Sequence, residues 1–369
     1  MPDLRITRLA HTLVDYSTRV QAGDQVLITA TPAAAPLVQE LYKLILQRGA
    51  HPLPIIDLPG LPALFLEHAN EAQLRYVSPV LKQIIETFDV RIAIRSDSNT
   101  RELSGVAPAR QAARAQAMRP LMKTSMERSA TGAFRWNVVL FPTDAYAQDA
   151  EMSLADFEEF VYGACLCNEA DPVAAWQQVE ARQQLLVDWL KGKHEAHLVG
   201  PDTDLTVGIA GRTFINSTAT HNMPSGELFT GPEETKVNGH VRFTFPAITH
   251  GREVADVRLW FEEGVVVKWS AAKGEDFLTQ MLNTDPGARR LGEFAFGTNF
   301  GIQRFIKNIL FDEKIGGTVH VALGKGYPET GSLNDSAIHW DMICDLRQGG
   351  AVTVDGMPFM KDGKYLLWE

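Results

Sequence analysis

Cysteine is nearly absent from this chain: Cys165, Cys167 and Cys344 are the three in 369 residues. Three thiols cannot build a disulfide framework, and Cys165-Leu166-Cys167 lacks the C-x-x-C spacing of zinc and thioredoxin sites. They read as buried thiols, because a free cysteine behaves as a small hydrophobe. Any metal must then be held through nitrogen and oxygen. Positive charge is also short. Against 45 Asp and Glu stand 35 Lys and Arg, a formal net charge of −10, which argues against nucleic acid as the main partner, since phosphate backbones are held by clustered Lys and Arg. No apolar run approaches the roughly 20 residues that a membrane span needs. The first residues, MPDLRITRLAHTLVDY, lack the charged start, apolar stretch and small-residue cleavage site of a signal peptide, so the expected address is the cytoplasm.

The chain is long for one core, which predicts two domains. Helical spacing covers residues 4–22 and stops at Gly23-Asp24. Gln25–Ala30 reads as a buried strand, followed by a helix over about 36–47 and a strand over 54–58. A helix near 71–87, a strand over 90–95, a helix near 107–128 and a strand over 137–142 continue the alternation. This order predicts an α/β domain, an open, mainly parallel sheet with helices on both faces. The turn after the first strand, Thr29-Ala30-Thr31-Pro32-Ala33-Ala34-Ala35-Pro36, holds no glycine. Neither a dinucleotide fingerprint nor a P-loop is present, and this half reads as a scaffold and dimerisation domain. Helical pattern over 153–190 ends at Gly192, which places the domain boundary at 192/193. Beyond it, short alternating segments separated by Gly and Asn turns predict an α+β domain, largely antiparallel, over 193–369.

That second half carries the chemistry. His339 and Asp341 are two apart in a strand-like segment, so alternation turns both to one face. The segment Thr318–Leu323 also alternates, and pairing with it would bring His320 to the same face. Acids are to be sought upstream. Asn222-Met223-Pro224-Ser225-Gly226-Glu227 sets a carboxylate in a turn shaped by Pro and Gly, and Gly292–Asn299 sets Glu293 in an apolar strand beside Leu291 and Phe294. An ionised Glu there is costly unless paired or bound to a cation. Glu227, Glu293, Glu313, His320, His339 and Asp341 together exceed the three protein ligands of one catalytic zinc. They suit two divalent ions sharing a carboxylate, an arrangement that polarises a carbonyl and turns water into a nucleophile, and hydrolysis of an amide is the natural reaction. His194, His197, His221 and His240 read as ordinary histidines outside this set, and Asp345 with Arg347 as either supports of the ligands or a surface pair.

The blocks Asn222–Glu227, Gly292–Asn299, Thr318–Tyr327 and His339-Trp340-Asp341 occur in an order that resembles the thermophilic aminopeptidase family, the M29 class. The likeness spans most of the chain and is strongest over about 215–350. It implies a dimeric metallo-exopeptidase holding two divalent ions, zinc, cobalt or manganese, and removing N-terminal residues from peptides. Carried over residue by residue, the resemblance makes Glu227 a ligand and Glu293 the bridging ligand, with His320, His339 and Asp341 completing the shell. Glu313 matches a further acid, although Gly316-Gly317 lengthens the link to His320, and Tyr327 matches the active-site tyrosine. An alternative on the same scaffold is an Fe(II)-dependent ring-cleaving dioxygenase for hydroxypyridines, which needs only two histidines and one carboxylate.

Overall fold

Strands Gln25–Ala30, His51–Ile56, Val90–Arg95 and Arg135–Leu140 pair in parallel, with the first and third at the centre of the sheet and Asn222–Met223 added in parallel beyond the fourth. The expected α/β half is present in this computed structural model, which describes residues 3–249 and 251–368. Val26, Ile28, Val90, Ile92 and Val139 are fully buried, as strands covered on both faces require. The helix Ala35–Gln47 buries Leu37, Leu41, Leu44 and Ile45, one stripe at helical spacing. Strand His51–Ile56 lies at the sheet edge, where Pro52 and Pro54 can sit because a missing N–H costs nothing on an unpaired side.

Local chemistry shifts several elements from their sequence-based positions. The single helix expected over 71–87 is two, Glu71–Arg75 and Pro79–Thr87, because Pro79 disfavours helical backbone before it and Ser78 is extended. The expected 4–22 helix is Leu4–His11 continued by a wider π-helical turn, Thr12–Ser17. A helix at Leu61–His68 was not anticipated.

The chain divides into two compact units. The first comprises the residues up to Ala175 together with Ala219–Pro224, and the second Trp176–Thr218 with the residues from Ser225 onward. The division falls inside the helix Pro172–Leu190 rather than after it. In the second unit, eight strands form an antiparallel sheet in the order Val265–Ser270, Val257–Glu262, Val237–Phe243, Thr203–Gly208, Glu195–Gly200, Ala351–Val354, Met357–Lys361, Lys364–Tyr365. A second antiparallel sheet runs His339–Asp345, Thr318–Gly324, Leu291–Gly297, Glu227–Thr230, Ile215–Ser217. Residues of both sheets share one apolar core, among them Leu205, Val241 and Phe359 from the first and Phe294, Val321 and Met342 from the second. Strands Arg252–Val254 and Val257–Glu262 are separated at Asp256, whose φ is 53° and whose carboxylate takes Arg242 and Arg258.

Candidate metal centre

Alternation in the five-stranded sheet sorts its residues by chemistry. One face carries Leu228, Phe294, Phe296, Val319, Val321, Leu323, Trp340, Met342 and Cys344, all in the apolar core. The other face is built in cross-strand rows: Glu227 opposite Gly297; Phe229, Ala295, His320 and Ile343; Glu293, Ala322 and Asp341; Gly324 opposite His339. Small residues therefore floor the space between the charged ones. A bulge between Leu291 and Glu293 shifts the register there, and such bulges re-aim side chains beside sites. Gly292 is required at it, because a Cβ would run into the backbone of Gly324 and Lys325. Glu227 opens a strand rather than lying in a turn; the turn before it ends at Gly226, whose φ is 114°.

All six sequence candidates meet on this face. Atoms of Glu227, Glu293 and His320 lie within 4.8 Å of one another, as do atoms of Glu293, His339 and Asp341, so that Glu293 belongs to both triads. Glu313, His320 and Asp341 make a third such group. His320 Nε2 stands 3.5 Å from Glu227 Oε2 and 3.6 Å from Glu293 Oε1; His339 Nε2 stands 3.3 Å from Glu293 Oε2 and 3.5 Å from Asp341 Oδ1. The His339 Nδ1–H donates to the Lys325 carbonyl at 2.7 Å, which leaves Nε2 to face the carboxylates. Glu227, Glu293 and His320 are buried, whereas 28% of the His339 side chain is accessible, so the set opens to solvent on the His339 side.

Tyr327 meets the edge of the His339 ring at 5.3 Å and of Phe229 at 5.5 Å. Its loop, residues 325–338, is tied down by Asn334, which donates to the carbonyls of Gly287 and Gly324, and by Asp285, which accepts from Ser336 and the Ala337 N–H.

Electrostatics fit the donor set to cations. Four carboxylates and the Lys314 ammonium leave a formal −3 with neutral imidazoles. The buried Glu227 Oε2 has no hydrogen-bond partner among the described residues, a state native interiors avoid unless an ion or water completes it. Burial opposes a charged Glu293, yet His320 and His339 outweigh it and hold its carboxyl well below the usual range. Burial pushes Glu313 up, helped by Glu227 and Asp341 and resisted by Lys314. Burial disfavours imidazolium, but the Glu293 carboxylate with Glu227 and Glu313 lifts His320 to about 9. Asp341 and Glu293 likewise lift His339 to about 12. Burial and the same carboxylates raise Tyr327, which keeps its phenolic proton. Nitrogen and oxygen donors of this kind suit divalent cations.

The remaining candidates lie elsewhere. Asp345 and Arg347 form a two-pronged pair with each other at 2.8 and 2.7 Å. His240 stacks on Trp260, His197 meets Asp204 and His194 meets Asp355. His221 packs against Trp136 in the first unit. All three thiols are buried and none forms a disulfide, as expected.

Three supporting residues escaped the sequence reading. Lys314 is wholly buried between Glu227 and Glu313. Gln183, also wholly buried, donates to the carbonyls of Ser217 and Glu227 and accepts from Thr298. Asn299 donates through its side chain to Ser225 and through its backbone to Lys314. A lysine among Phe311, Ile315 and paired glycines was the available signal for the first; nothing local marked the other two.

The profile of the thermophilic metalloprotease family (M29) matches residues 3–365. The chain belongs to that family. Among M29 relatives, aminopeptidase 2 of Geobacillus stearothermophilus is 30% identical over 98% of this chain and 97% of its own length. Aminopeptidase T of Thermus aquaticus is 28% identical, with 98% of each chain covered. The solved structure of wild-type AmpT from Thermus thermophilus superposes with a TM-score of 0.87 at 26% identity, covering 98% of this chain and 99% of that one. The M29 fold is also shared, at a TM-score of 0.56 and 13% identity, with 2,5-dihydroxypyridine dioxygenase from Pseudomonas putida KT2440, over 98% and 96% of the two chains. That identity carries the fold alone. No helix among the described residues is long and apolar enough to cross a membrane.

Proposed function

We propose that this protein is a metal-dependent aminopeptidase that hydrolyses the N-terminal peptide bond of peptides, acting in the cytoplasm as a homodimer with its first unit as scaffold. The observation that carries the reading is the pair of donor triads joined at Glu293. Glu227 and His320 would hold one divalent ion, His339 and Asp341 the other, and Glu293 both, with Glu313 behind them; zinc, cobalt and manganese all suit these donors. Such a pair, when bound, supplies Lewis acidity to the scissile carbonyl and to the attacking water.

The rest falls to the chain. Glu293 and the two imidazoles fix the spacing of the charged groups, and Lys325 and the sheet fix the ring of His339. Tyr327 retains its proton beside four carboxylates, so its hydroxyl is a donor ready for the oxyanion of a tetrahedral intermediate. An oxygenase at one ion would leave Glu227 and Glu313 without a use, and the shared fold of the dioxygenase does not outweigh them.

The test is release of chromophore from a panel of aminoacyl anilides. Activity should be abolished by a chelator and restored by Zn²⁺, Co²⁺ or Mn²⁺. Metal-replete protein inert on the whole panel, but consuming oxygen with a dihydroxypyridine and one iron per chain, would overturn the reading in favour of the oxygenase.

Loading should also move protons. His320 and His339, raised to about 9 and about 12, are protonated at pH 7, and a ligating imidazole must be neutral, so binding should expel about two protons per chain. Affinity should therefore rise as pH is raised from 7 through about 9. Calorimetry in buffers of different ionisation enthalpy reads the count, and a value near zero would contradict it.

A further inference from the structure

The two triads are alike in ligand type but not in surroundings. Lys314 places its ammonium 3.6 Å from Glu227 Oε1 and against Glu313 Oε1, inside the cluster and wholly screened from water. Its backbone is held on both sides. The Lys314 N–H donates to the Phe311 carbonyl at 2.9 Å, its own carbonyl accepts from Asn299 at 3.1 Å, and Asn299 is bonded in turn to Gly316 and Ser225. Around the other triad, Asp341 and His339 are partly accessible and no lysine or arginine pairs with either among the described residues. One arm of the Glu227–Glu293–His320 set is thus already paired with a lysine, while the carboxylates of the Glu293–His339–Asp341 set face imidazoles, which can give up their protons to an incoming ion.

We propose that Lys314 makes the two positions unequal. The Glu293–His339–Asp341 position, open to solvent and without a lysine or arginine ion pair among the described residues, fills first and tightly. The Glu227–Glu293–His320 position fills second and weakly, because an ion entering there must face or displace the Lys314 ammonium. The inference rests on the metal-dependent reading above and deepens it: full loading depends on the free concentration of the divalent ion, with Lys314 setting the threshold. Repulsion between a unit and a double charge a few ångströms apart survives an effective protein permittivity of about 20, and amounts to a gap of at least about tenfold in Kd.

The experiment is a titration of metal-free, full-length protein with Mn²⁺, with free ion counted by electron paramagnetic resonance. Wild type should bind one ion tightly and a second at least about tenfold more weakly. Lys314→Met should tighten the second ion by at least about tenfold and close the gap, whereas Lys314→Arg, which keeps the charge, should preserve it. Two equal affinities in wild type, or a second ion no tighter in Lys314→Met, would overturn the proposal. Because Lys314 is buried, two variants that leave it in place test the order independently: Asp341→Asn should remove the tight phase and Glu227→Gln should spare it, and the reverse pattern would also overturn the proposal. A wild-type chain binding no Mn²⁺, Zn²⁺ or Co²⁺ at all would defeat the metal-dependent reading itself, a result distinct from equal binding of two ions.

Discussion

Glu293→Ala is expected to empty both ion positions and to lower anilide hydrolysis by at least about 10³-fold, the several kcal/mol that a bound metal supplies to charge developing in the transition state. The reason is topological. Glu293 is the residue common to the Glu227–His320 and His339–Asp341 triads, and its two oxygens face His320 at 3.6 Å and His339 at 3.3 Å. Loss of any other ligand removes one donor from one position, whereas loss of Glu293 removes a donor from each. Glu293→Gln keeps the volume and removes the charge, and should show the same loss in weaker form. Elemental analysis of the purified variants, with circular dichroism to establish folding, gives the answer. Full metal content in folded Glu293→Ala protein would show that Glu293 is not shared.

Tyr327→Phe should lower kcat by about 10²–10³-fold, the range for removal of one oxyanion donor, with KM and metal content little changed. The ring stays in place in this variant, because its contacts with His339 and Phe229 are made by ring edges. Only the hydroxyl goes, and burial together with the surrounding carboxylates keeps that hydroxyl protonated in the parent. Steady-state kinetics on a leucyl anilide separates the two parameters. A variant with unchanged kcat would reduce Tyr327 to a packing residue.

Much of this arrangement was legible because strands write it with a period of two. His339 and Asp341, and the alternating segment around His320, could be assigned to one face from spacing alone, and the structure pairs those two strands directly. Glu293 was legible for a different reason, as a carboxylate in an apolar run that needs a compensating charge. Lys314 was not. A lysine next to a glutamate reads as solvated, since lysine is almost never fully buried unless paired, and its partner Glu227 lies 87 positions earlier in the sequence. Gln183 is hidden in the same way, being 44 residues from the Glu227 carbonyl that it holds. In the first unit, the parallel order followed from alternation of strand and helix, while the break before Pro79 turned on one residue within a long helical pattern. Long-range pairing and single-residue interruptions are what periodicity cannot carry.

The two-faced strands also act as a check on folding. Sliding any of the strands Leu291–Gly297, Thr318–Gly324 or His339–Asp345 by one residue would drive acids and imidazoles into the oily interior and turn phenylalanine and tryptophan out towards water. A chain misaligned in that way could not stay folded. Whatever survives as a stable molecule therefore already has its ligands assembled, and the same hydrophobic selection that rejects misthreaded chains also proofreads the reactive centre.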